Sequence, residues 1–248
     1  SAAFSSPAEV DPRDWAYDLE TYPNIFTALF IHLETGQERL FEISDRRNDF
    51  AALMAFIYWM RENKQRGFGF NNAGFDYEIL HFMATNGADN APAIYQKVQA
   101  IFATQNRFGG GVWESDRLFE QVDLFKIWHY DNPAKSTSLK ALEIAMESEN
   151  VVDLPYAPGT MLDDNAKDVL IVYNRHDVKE TSKFAARSQQ EIRLRESLSE
   201  RYGVNMTNFS NTKIGSTILI RQMEAAGIQC FERDSSGRKT PRQTYRAV

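Results

Sequence analysis

The sequence predicts an α/β domain built on a mixed sheet, and three observations support this class. Strand-like runs at residues 15–19, 26–33 and 39–43 open the chain. Thr35-Gly36, between the second and third runs, is a hairpin signal, so these strands are expected to form an antiparallel meander. Strand-like runs then alternate with helical periodicity, a pattern typical of parallel strands covered by helices.

Apolar residues spaced three or four apart indicate the helices. These are predicted at residues 48–63, 92–106, 139–148, 191–201 and 212–226. Short strands are predicted at residues 66–71, 112–116 and 118–125. Asn72 is expected to cap a helix that begins near Asp76, and Asp163 or Asp164 to cap a long helix that ends near Gln190.

The composition is that of a globular chain. Its 248 residues are 43% hydrophobic and 25% charged, enough for one large domain or one domain with an extension. No apolar run reaches about eighteen residues and no signal peptide is visible, so no membrane contact is expected. Cys230 is the single cysteine, which excludes an internal disulfide within this sequence and fits a reducing compartment. The net charge of −6 is mildly unfavourable for nucleic-acid binding, although a carboxylate metal site adds negative charge that its cations reverse.

Two carboxylates, Asp18 and Glu20, follow the apolar start of the first predicted strand. Residues two apart in a strand point to the same face, so these side chains are expected to lie side by side. Like charges a few Å apart repel unless a cation lies between them, and hard divalent cations prefer carboxylate oxygens. The pair alone equally fits solvated charges at a strand end, so a metal site depends on further carboxylates.

Two further carboxylates are placed to join them. Asp76 opens a helix directly after a strand, and Asp177 lies on the long helix with Tyr173 four residues earlier on the same face. Phosphodiester cleavage uses such a set, because two divalent ions about 3.5–4 Å apart share carboxylate ligands and keep positions for water and phosphate. A tyrosine hydroxyl is suited to orienting the attacking water.

These residues form three motifs that resemble those of the 3′→5′ proofreading exonuclease domain of family B DNA polymerases, most closely the phage-type members. Residues 18–20 (DLE) match the first motif, Asp-x-Glu. Residues 72–76 (NAGFD) match the second motif, and residues 173–177 (YNRHD) match the third, Tyr-x-x-x-Asp. The order and separations also match. The tyrosine four residues before the last aspartate indicates the tyrosine subclass of the DEDD exonucleases.

A fourth match concerns single-stranded DNA. Residues 138–142 (SLKAL) resemble the Ser/Thr-Leu-x-x-hydrophobic motif of protein-primed phage polymerases. The resemblance implies that Ser138 and Leu139 contact single-stranded DNA, and that Thr21, Asn72 and Phe75 hold the frayed 3′ end. An aromatic ring offers a stacking surface that suits single strands without sequence preference.

One feature of the family has no clear counterpart. Its members carry a lysine between the single-strand motif and the tyrosine motif, and Lys140 and Lys167 are no more than candidates for it here. The resemblance extends in motif order over roughly residues 15–187. It implies a ribonuclease H-like mixed sheet flanked by helices, with a helical C-terminal extension.

The resemblance divides the chain into a 3′→5′ exonuclease domain at residues 1–205 and an extension at residues 206–248 that leads toward an absent polymerase domain. The chain is then a truncated or split part of a family B DNA polymerase, with a polymerase domain or a separate polymerase chain as partner. The expected location is the cytoplasm, that of the bacterial host if a phage encodes the protein.

The implied reaction is hydrolysis of single-stranded or frayed DNA 3′ ends to nucleoside 5′-monophosphates, with two Mg²⁺ ions that Mn²⁺ can replace. The implied metal ligands are Asp18, Glu20, Asp76 and Asp177. Tyr173 is the residue that orients the water. All five are implied catalytic residues.

Two other functions stay open. The groove can belong to a binding module that holds single-stranded DNA for a separate polymerase chain, although an intact carboxylate set argues against loss of activity. The third hypothesis is a related DEDD exoribonuclease that acts on RNA ends. The 138–142 motif favours DNA over RNA as the substrate. Structural readings also exist for Asp76 as a helix N-terminal carboxylate, for Tyr173 and Phe75 as core residues, and for Ser138 as a helix cap.

Overall fold

The structure is a computed structural model that describes residues 10–104, 111–129 and 154–241. In chain order its elements are β1 (Asp14–Tyr22), β2 (Ile25–His32), β3 (Glu38–Ser44), α1 (Phe50–Glu62), β4 (Arg66–Gly69), α2 (Asp76–Asn86), α3 (Ala91–Thr104), β5 (Glu120–Asp123), α4 (Leu124–His129), α5 (Asp164–Arg187), α6 (Gln189–Tyr202), α7 (Asn211–Ala225), β6 (Phe231–Arg233) and β7 (Lys239–Pro241). Among these described helices, none combines the length and the apolar character that crossing a membrane requires.

Five strands form one mixed sheet in the order β3-β2-β1-β4-β5. The pairs β1–β2 and β2–β3 are antiparallel, whereas β1–β4 and β4–β5 are parallel. The predicted antiparallel meander and the α/β class with a mixed sheet are therefore confirmed. The hairpin between β2 and β3 turns at Gly36, whose φ of +71° is readily adopted only by a residue without a side chain.

β1 is the central strand and is buried on both faces. Trp15 and Tyr17 point into the larger apolar cluster, which α1, α2 and α3 cover. Ala16 points the opposite way, into a second cluster formed with α4, α5 and α6. Because side chains alternate along a strand, Asp18 and Glu20 lie on the Ala16 face, toward α5.

The long helix begins as the sequence predicts. The Asp163 carboxylate accepts a hydrogen bond from the Ala166 N–H at 2.8 Å, which caps α5. The helices predicted at residues 191–201 and 212–226 are confirmed as α6 and α7. The helix predicted at residues 139–148 lies outside the described residues.

Two predictions about local structure are wrong. Residues 112–116 do not form a strand, because Glu114–Asp116 is an exposed 3₁₀ turn whose acidic and hydroxyl side chains offer no apolar face to bury. Asn72 does not cap α2, because its side-chain nitrogen is turned into the core and donates to Gln121 Oε1 at 2.9 Å. α2 instead begins after Phe75 without a side-chain cap.

Single residues satisfy backbone groups at both edges of the sheet. At the β5 edge, the Asn208 side chain accepts the Asp123 N–H and donates to the Gln121 carbonyl, each at 2.7 Å. At the β3 edge, Asp49 Oδ2 accepts the Glu42 N–H at 2.9 Å, and the Asp49 N–H donates to the Glu42 carbonyl at 2.8 Å. Each residue supplies both an acceptor and a donor to the strand beside it.

Packing continues past residue 205, where the sequence analysis ends the exonuclease domain. Met206 and Ser210 are buried, and the Phe209 carbonyl accepts a hydrogen bond at 3.0 Å from Arg195, which is itself fully buried. Most side chains of α7 after Ile214 are exposed or half-buried. The division into two domains stays a prediction, but the segment just beyond it packs with the sheet.

Asn208→Ala is expected to lower the free energy of unfolding by about 1–3 kcal/mol, because two backbone groups at the β5 edge lose their partners. Urea unfolding followed by circular dichroism measures this change. Gln222→Ala removes an exposed side chain on α7 and is the control, with an expected change below about 0.5 kcal/mol. Equal stability of the two variants would contradict the bridging role of Asn208.

Candidate metal centre

Three carboxylates meet between β1 and α5. Asp18 and Glu20 come from β1 and Asp177 from α5, and one oxygen of each lies within 4.8 Å of the other two. All three residues are half-buried. They meet because alternation along β1 places Asp18 and Glu20 on the face that α5 covers, beyond Ala16, the last β1 residue paired with β4. The structure thus brings together three of the predicted site residues.

Asp76 lies beside this group. It is the first residue of α2 and its side chain is buried. Its negative charge raises the pKa of both Asp18 and Glu20. The group whose oxygens lie within 4.8 Å of one another does not include Asp76. Asp76, the fourth predicted ligand, is therefore close enough to repel Asp18 and Glu20. It lies beside the three-carboxylate group and is not a member of it.

Burial and mutual repulsion dominate the electrostatics of the site. Burial is the main cause that raises the pKa of Asp18 and Glu20 well above their usual range, and the neighbouring carboxylates add to it. Burial also raises the pKa of Asp76 to about 7, with a further contribution from the charge of Asp123. In the part of the chain that the structure describes, no cationic side chain is among the groups that act on Asp18, Glu20 or Asp76. The site therefore favours protons when metal-free, and a divalent cation would allow its carboxylates to ionise together.

Tyr173 stands one helical turn before Asp177 and forms a hydrogen bond with its carboxylate. Burial is the main cause that raises the pKa of the phenol, and the charges of Asp177 and Glu20 add to it. The hydroxyl therefore stays protonated at neutral pH and donates to Asp177. Its oxygen remains able to accept a hydrogen bond from another group.

Sequence reasoning missed Asn174, which positions one carboxylate. This residue is fully buried, and its Nδ2 donates to Asp18 Oδ2 at 3.2 Å. The Thr27 hydroxyl in turn donates to Asn174 Oδ1 at 3.3 Å, and Thr27 lies directly opposite Glu20 on β2. A buried amide in the middle of a helix needs hydrogen-bond partners of this kind. The one sign of its role in the sequence was its position next to Tyr173 in the third motif.

Asp123, at the end of β5, is a further buried carboxylate that sequence reasoning missed. Its Oδ1 accepts the N–H groups of Asn71 at 2.9 Å and Phe125 at 3.1 Å. It therefore fixes the loop between β4 and α2, which leads directly to Asp76. Its position on β5 beside Gly69 of β4 becomes visible only once the two strands are paired.

Two of the predicted DNA-binding residues line one cavity next to Glu20. Thr21 and Phe75 are half-buried and border a cavity of about 190 Å³ together with Phe102 and other residues of α3. The rings of Phe75 and Phe102 are 5.2 Å apart, and Phe102 is 53% exposed. This cavity opens an aromatic surface beside the carboxylates, of a kind on which a base can stack.

Asn72 does not line this cavity. It is fully buried, and its Nδ2 lies within hydrogen-bond distance of Gln121 Oε1 at 2.9 Å and of the Tyr17 hydroxyl at 3.4 Å. Contact between Asn72 and DNA stays a prediction, and this structure keeps the amide inside the core. Ser138 and Leu139 lie outside the described residues, so their contact with DNA also stays a prediction.

The candidate lysines are similarly divided. Lys140 lies outside the described residues. Lys167 is buried near the start of α5, where it forms ion pairs with Asp45 and Asp164. Its ammonium is thus engaged with carboxylates other than the three that meet between β1 and α5.

The donor set of the site fits a hard divalent cation. Asp18, Glu20 and Asp177 offer only oxygen ligands, the type that Mg²⁺ and Mn²⁺ prefer over nitrogen and sulfur. Mg²⁺ commonly keeps several waters when carboxylates bind it. The three carboxylates could therefore hold a metal ion.

Comparison with known proteins identifies no family for this chain. The chain matches no family model, and no curated protein matches it significantly. Assignment of a function therefore depends on the residues themselves and on their arrangement.

The pKa of Asp76, raised from 3.8 to about 7, predicts how the stability of the metal-free protein depends on pH. The folded state holds this proton more tightly than the unfolded state, so folding is favoured below pH 3.8 and that contribution is lost as pH rises toward 7. The Asp76→Asn variant has an amide at this position, which does not bind or release a proton in this pH range. Its free energy of unfolding should therefore rise relative to the wild type across this pH interval.

Urea unfolding at a series of pH values, in buffer freed of divalent ions, measures the difference between the two proteins. Asp168→Asn changes an exposed carboxylate on α5 and is the control, whose difference from the wild type should follow no such curve. A constant difference between Asp76→Asn and the wild type would contradict the raised pKa.

Proposed function

We propose that this chain is a metal-dependent 3′→5′ exonuclease that hydrolyses single-stranded or frayed DNA 3′ ends to nucleoside 5′-monophosphates. The observation that carries the proposal is the meeting of residues from two separate motifs, with Asp18, Glu20 and Asp177 oxygens within 4.8 Å of one another. Tyr173, bound to Asp177, and the buried Asp76 complete the set. The mixed five-stranded sheet is compatible with the ribonuclease H-like fold that the proposal implies.

The carboxylates would hold the metal in this proposal. Asp18, Glu20 and Asp177 would bind one ion, and Asp18 together with Asp76 would bind a second. Mg²⁺ or Mn²⁺ bound there would supply a coordinated water of lowered pKa and a positive charge beside the leaving oxygen. Asn174 donates to one Asp18 oxygen at 3.2 Å, which orients that carboxylate.

Tyr173 would orient water rather than remove its proton. Its raised pKa keeps the phenol neutral, and its hydrogen atom is already donated to Asp177. The phenol oxygen can still accept a hydrogen bond from a water that approaches the phosphate. In this arrangement the tyrosine aligns the nucleophile, and a substitution that keeps the ring but removes the oxygen tests that function alone.

The cavity beside Glu20 fits the terminal nucleotide of a single strand. Thr21 and Phe75 border it next to the carboxylates, and Phe102 adds an exposed ring. Stacking on aromatic rings binds bases without regard to sequence, as removal of any terminal nucleotide requires. The proposed partner is a polymerase domain or chain of family B, and the proposed location is the cytoplasm, that of the bacterial host if a phage encodes the protein.

Asp18→Ala should abolish Mg²⁺-dependent release of nucleotides, because it removes a ligand shared by both proposed ions. The assay compares single-stranded DNA labelled at the 3′ end with the same strand labelled at the 5′ end. The wild type should release a labelled mononucleotide early from the 3′-labelled strand only, and the 5′ label should leave last. Asp168→Ala, an exposed carboxylate on the same helix as Asp177, is the control and should retain activity.

Tyr173→Phe should lower kcat by about 10²-fold or more while the ring and the fold are kept.

Full activity in Asp18→Ala would refute the proposed site. No release by the wild type, with DNA binding retained, would favour the single-strand binding module. A matched RNA strand cleaved faster than DNA would favour the exoribonuclease.

Asn174→Ala should reduce activity by about 10–100-fold, because Asp18 loses the amide that orients it. The expected signature is a higher Mg²⁺ concentration for half-maximal activity, with partial recovery at high Mg²⁺. Asn86→Ala, at an exposed position of α2, is the control. An unchanged Mg²⁺ dependence in Asn174→Ala would show that Asp18 needs no such support.

A further inference from the structure

A second pocket lies at the end of the sheet opposite the carboxylates. Its volume is about 420 Å³, and four cationic side chains line it, namely Arg13, Arg61, Lys64 and Arg117. Residues at the start of the parallel strands β4 and β5 border the pocket. Asp123 and Asp76 lie at the opposite ends of these strands, where Asp123 is the last residue of β5 and Asp76 follows β4. Asp14 begins β1 next to the pocket residue Arg13, and the four residues of strand from Asp14 to Asp18 span about 13 Å. The pocket is therefore separate from the proposed metal centre.

The cationic groups of this pocket exceed their local counter-charges. Arg13 is paired with Asp11 at 2.6 Å. Among the described residues, Arg61, Lys64 and Arg117 form no ion pair.

Two carboxylates, Glu114 and Glu120, also line the pocket. Glu114 accepts a hydrogen bond from Asn205, and Glu120 is exposed. Three unpaired cations against two carboxylates leave the pocket positive, in a chain whose net charge is −6.

Arg117 carries an unexplained donor. Its Nε is buried and has no hydrogen-bond acceptor within the described part of the chain. A charged donor that is buried without an acceptor is costly, and in native structures such a group commonly has a ligand, a water or an ion as its partner. Arg117 lines the pocket, and a small shift of its side chain would bring this buried Nε, unpartnered among the described residues, into contact with a ligand there.

Two of the guanidinium groups that line this pocket also influence a neighbouring phenol. Arg117 and Arg61 both act on the Tyr77 hydroxyl, where their positive charges lower the pKa of the phenol against the larger effect of burial. The same hydroxyl accepts the Leu118 N–H at 2.5 Å, which fixes the segment next to Arg117. Arg61, on α1, and Arg117, in the segment before β5, line the same pocket. Like charges in one pocket repel each other, and an anion bound there relieves that repulsion.

We infer that this pocket binds a phosphate group. A carboxylate presents two acceptor oxygens, whereas a phosphate monoester presents three, one for each of the three unpaired cationic groups, and is itself negatively charged at neutral pH. The planar guanidinium fork binds phosphate through two parallel hydrogen bonds, and a lysine adds a point charge. A free nucleotide and the backbone of a nucleic acid both supply this chemistry. The inference does not depend on the proposed cleavage reaction.

Calorimetric titration of the whole chain tests the inference, in buffer freed of divalent ions by a chelating resin so that the carboxylate site holds no metal. The probes are deoxyadenosine 5′-monophosphate, inorganic phosphate, and unphosphorylated oligothymidylate, with deoxyadenosine as the control that lacks phosphate. We expect saturable binding of at least one phosphate-bearing probe and none of deoxyadenosine. Arg117→Gln should weaken that binding by about tenfold or more, since one charge-assisted hydrogen bond is lost.

Lys64→Gln changes an exposed residue without threatening the core and should weaken binding in the same sense. Arg39→Gln removes an exposed arginine on β3 and should bind like the wild type. Binding of the monophosphate and of inorganic phosphate alone identifies a terminal phosphate as the ligand, and pocket-dependent binding of oligothymidylate identifies the nucleic-acid backbone. Absence of saturable binding to the wild type, or wild-type affinity in both Arg117→Gln and Lys64→Gln, would overturn the inference.

Discussion

Repulsion among carboxylates that share one buried region is the interaction on which the architecture of the site depends. Asp18, Glu20 and Asp177 present oxygens within 4.8 Å of one another, and Asp76 lies close enough to raise the pKa values of Asp18 and Glu20. No packing argument favours such a grouping, since burial of like charges opposes folding. The rest of the fold must therefore hold these groups in place, and the stability it needs comes from the apolar clusters on both faces of β1.

The central strand performs this task through its two different faces. Tyr17 and its neighbours anchor β1 in the aromatic cluster under α1, α2 and α3, while Ala16 admits α5 on the opposite face. A small residue at that position lets the helix approach, and the following carboxylates then meet Asp177. Asn174 and Thr27 form a polar connection between helix, central strand and β2, so the position of Asp18 is tied to two elements at once. The same strand thus supplies both the rigidity and the charged groups.

Local patterns in the sequence predicted much of this arrangement, and features that depend on tertiary pairing escaped it. Two-residue periodicity was enough to place Asp18 and Glu20 on one face, and the cap at Asp163 follows from local chemistry alone. Asn72 was assigned to a helix cap because its sequence position fits one, yet Gln121, far along the chain, draws its amide inward. The role of Asp123 also depends on tertiary pairing, because its neighbours come from β4 and from the loop that follows β4.

Side chains that bind backbone groups at both sheet edges limit where another chain can pair with those edges. Proteins often recruit an extended peptide, or a second copy of themselves, by hydrogen bonding it to the open backbone of an outer strand. Asn208 already occupies two backbone groups of β5, and Asp49 occupies those of one residue of β3. A peptide can therefore pair with these backbone groups only by displacing the residues that already bind them. Side-chain and apolar contacts on the helical faces remain available to a partner without that displacement.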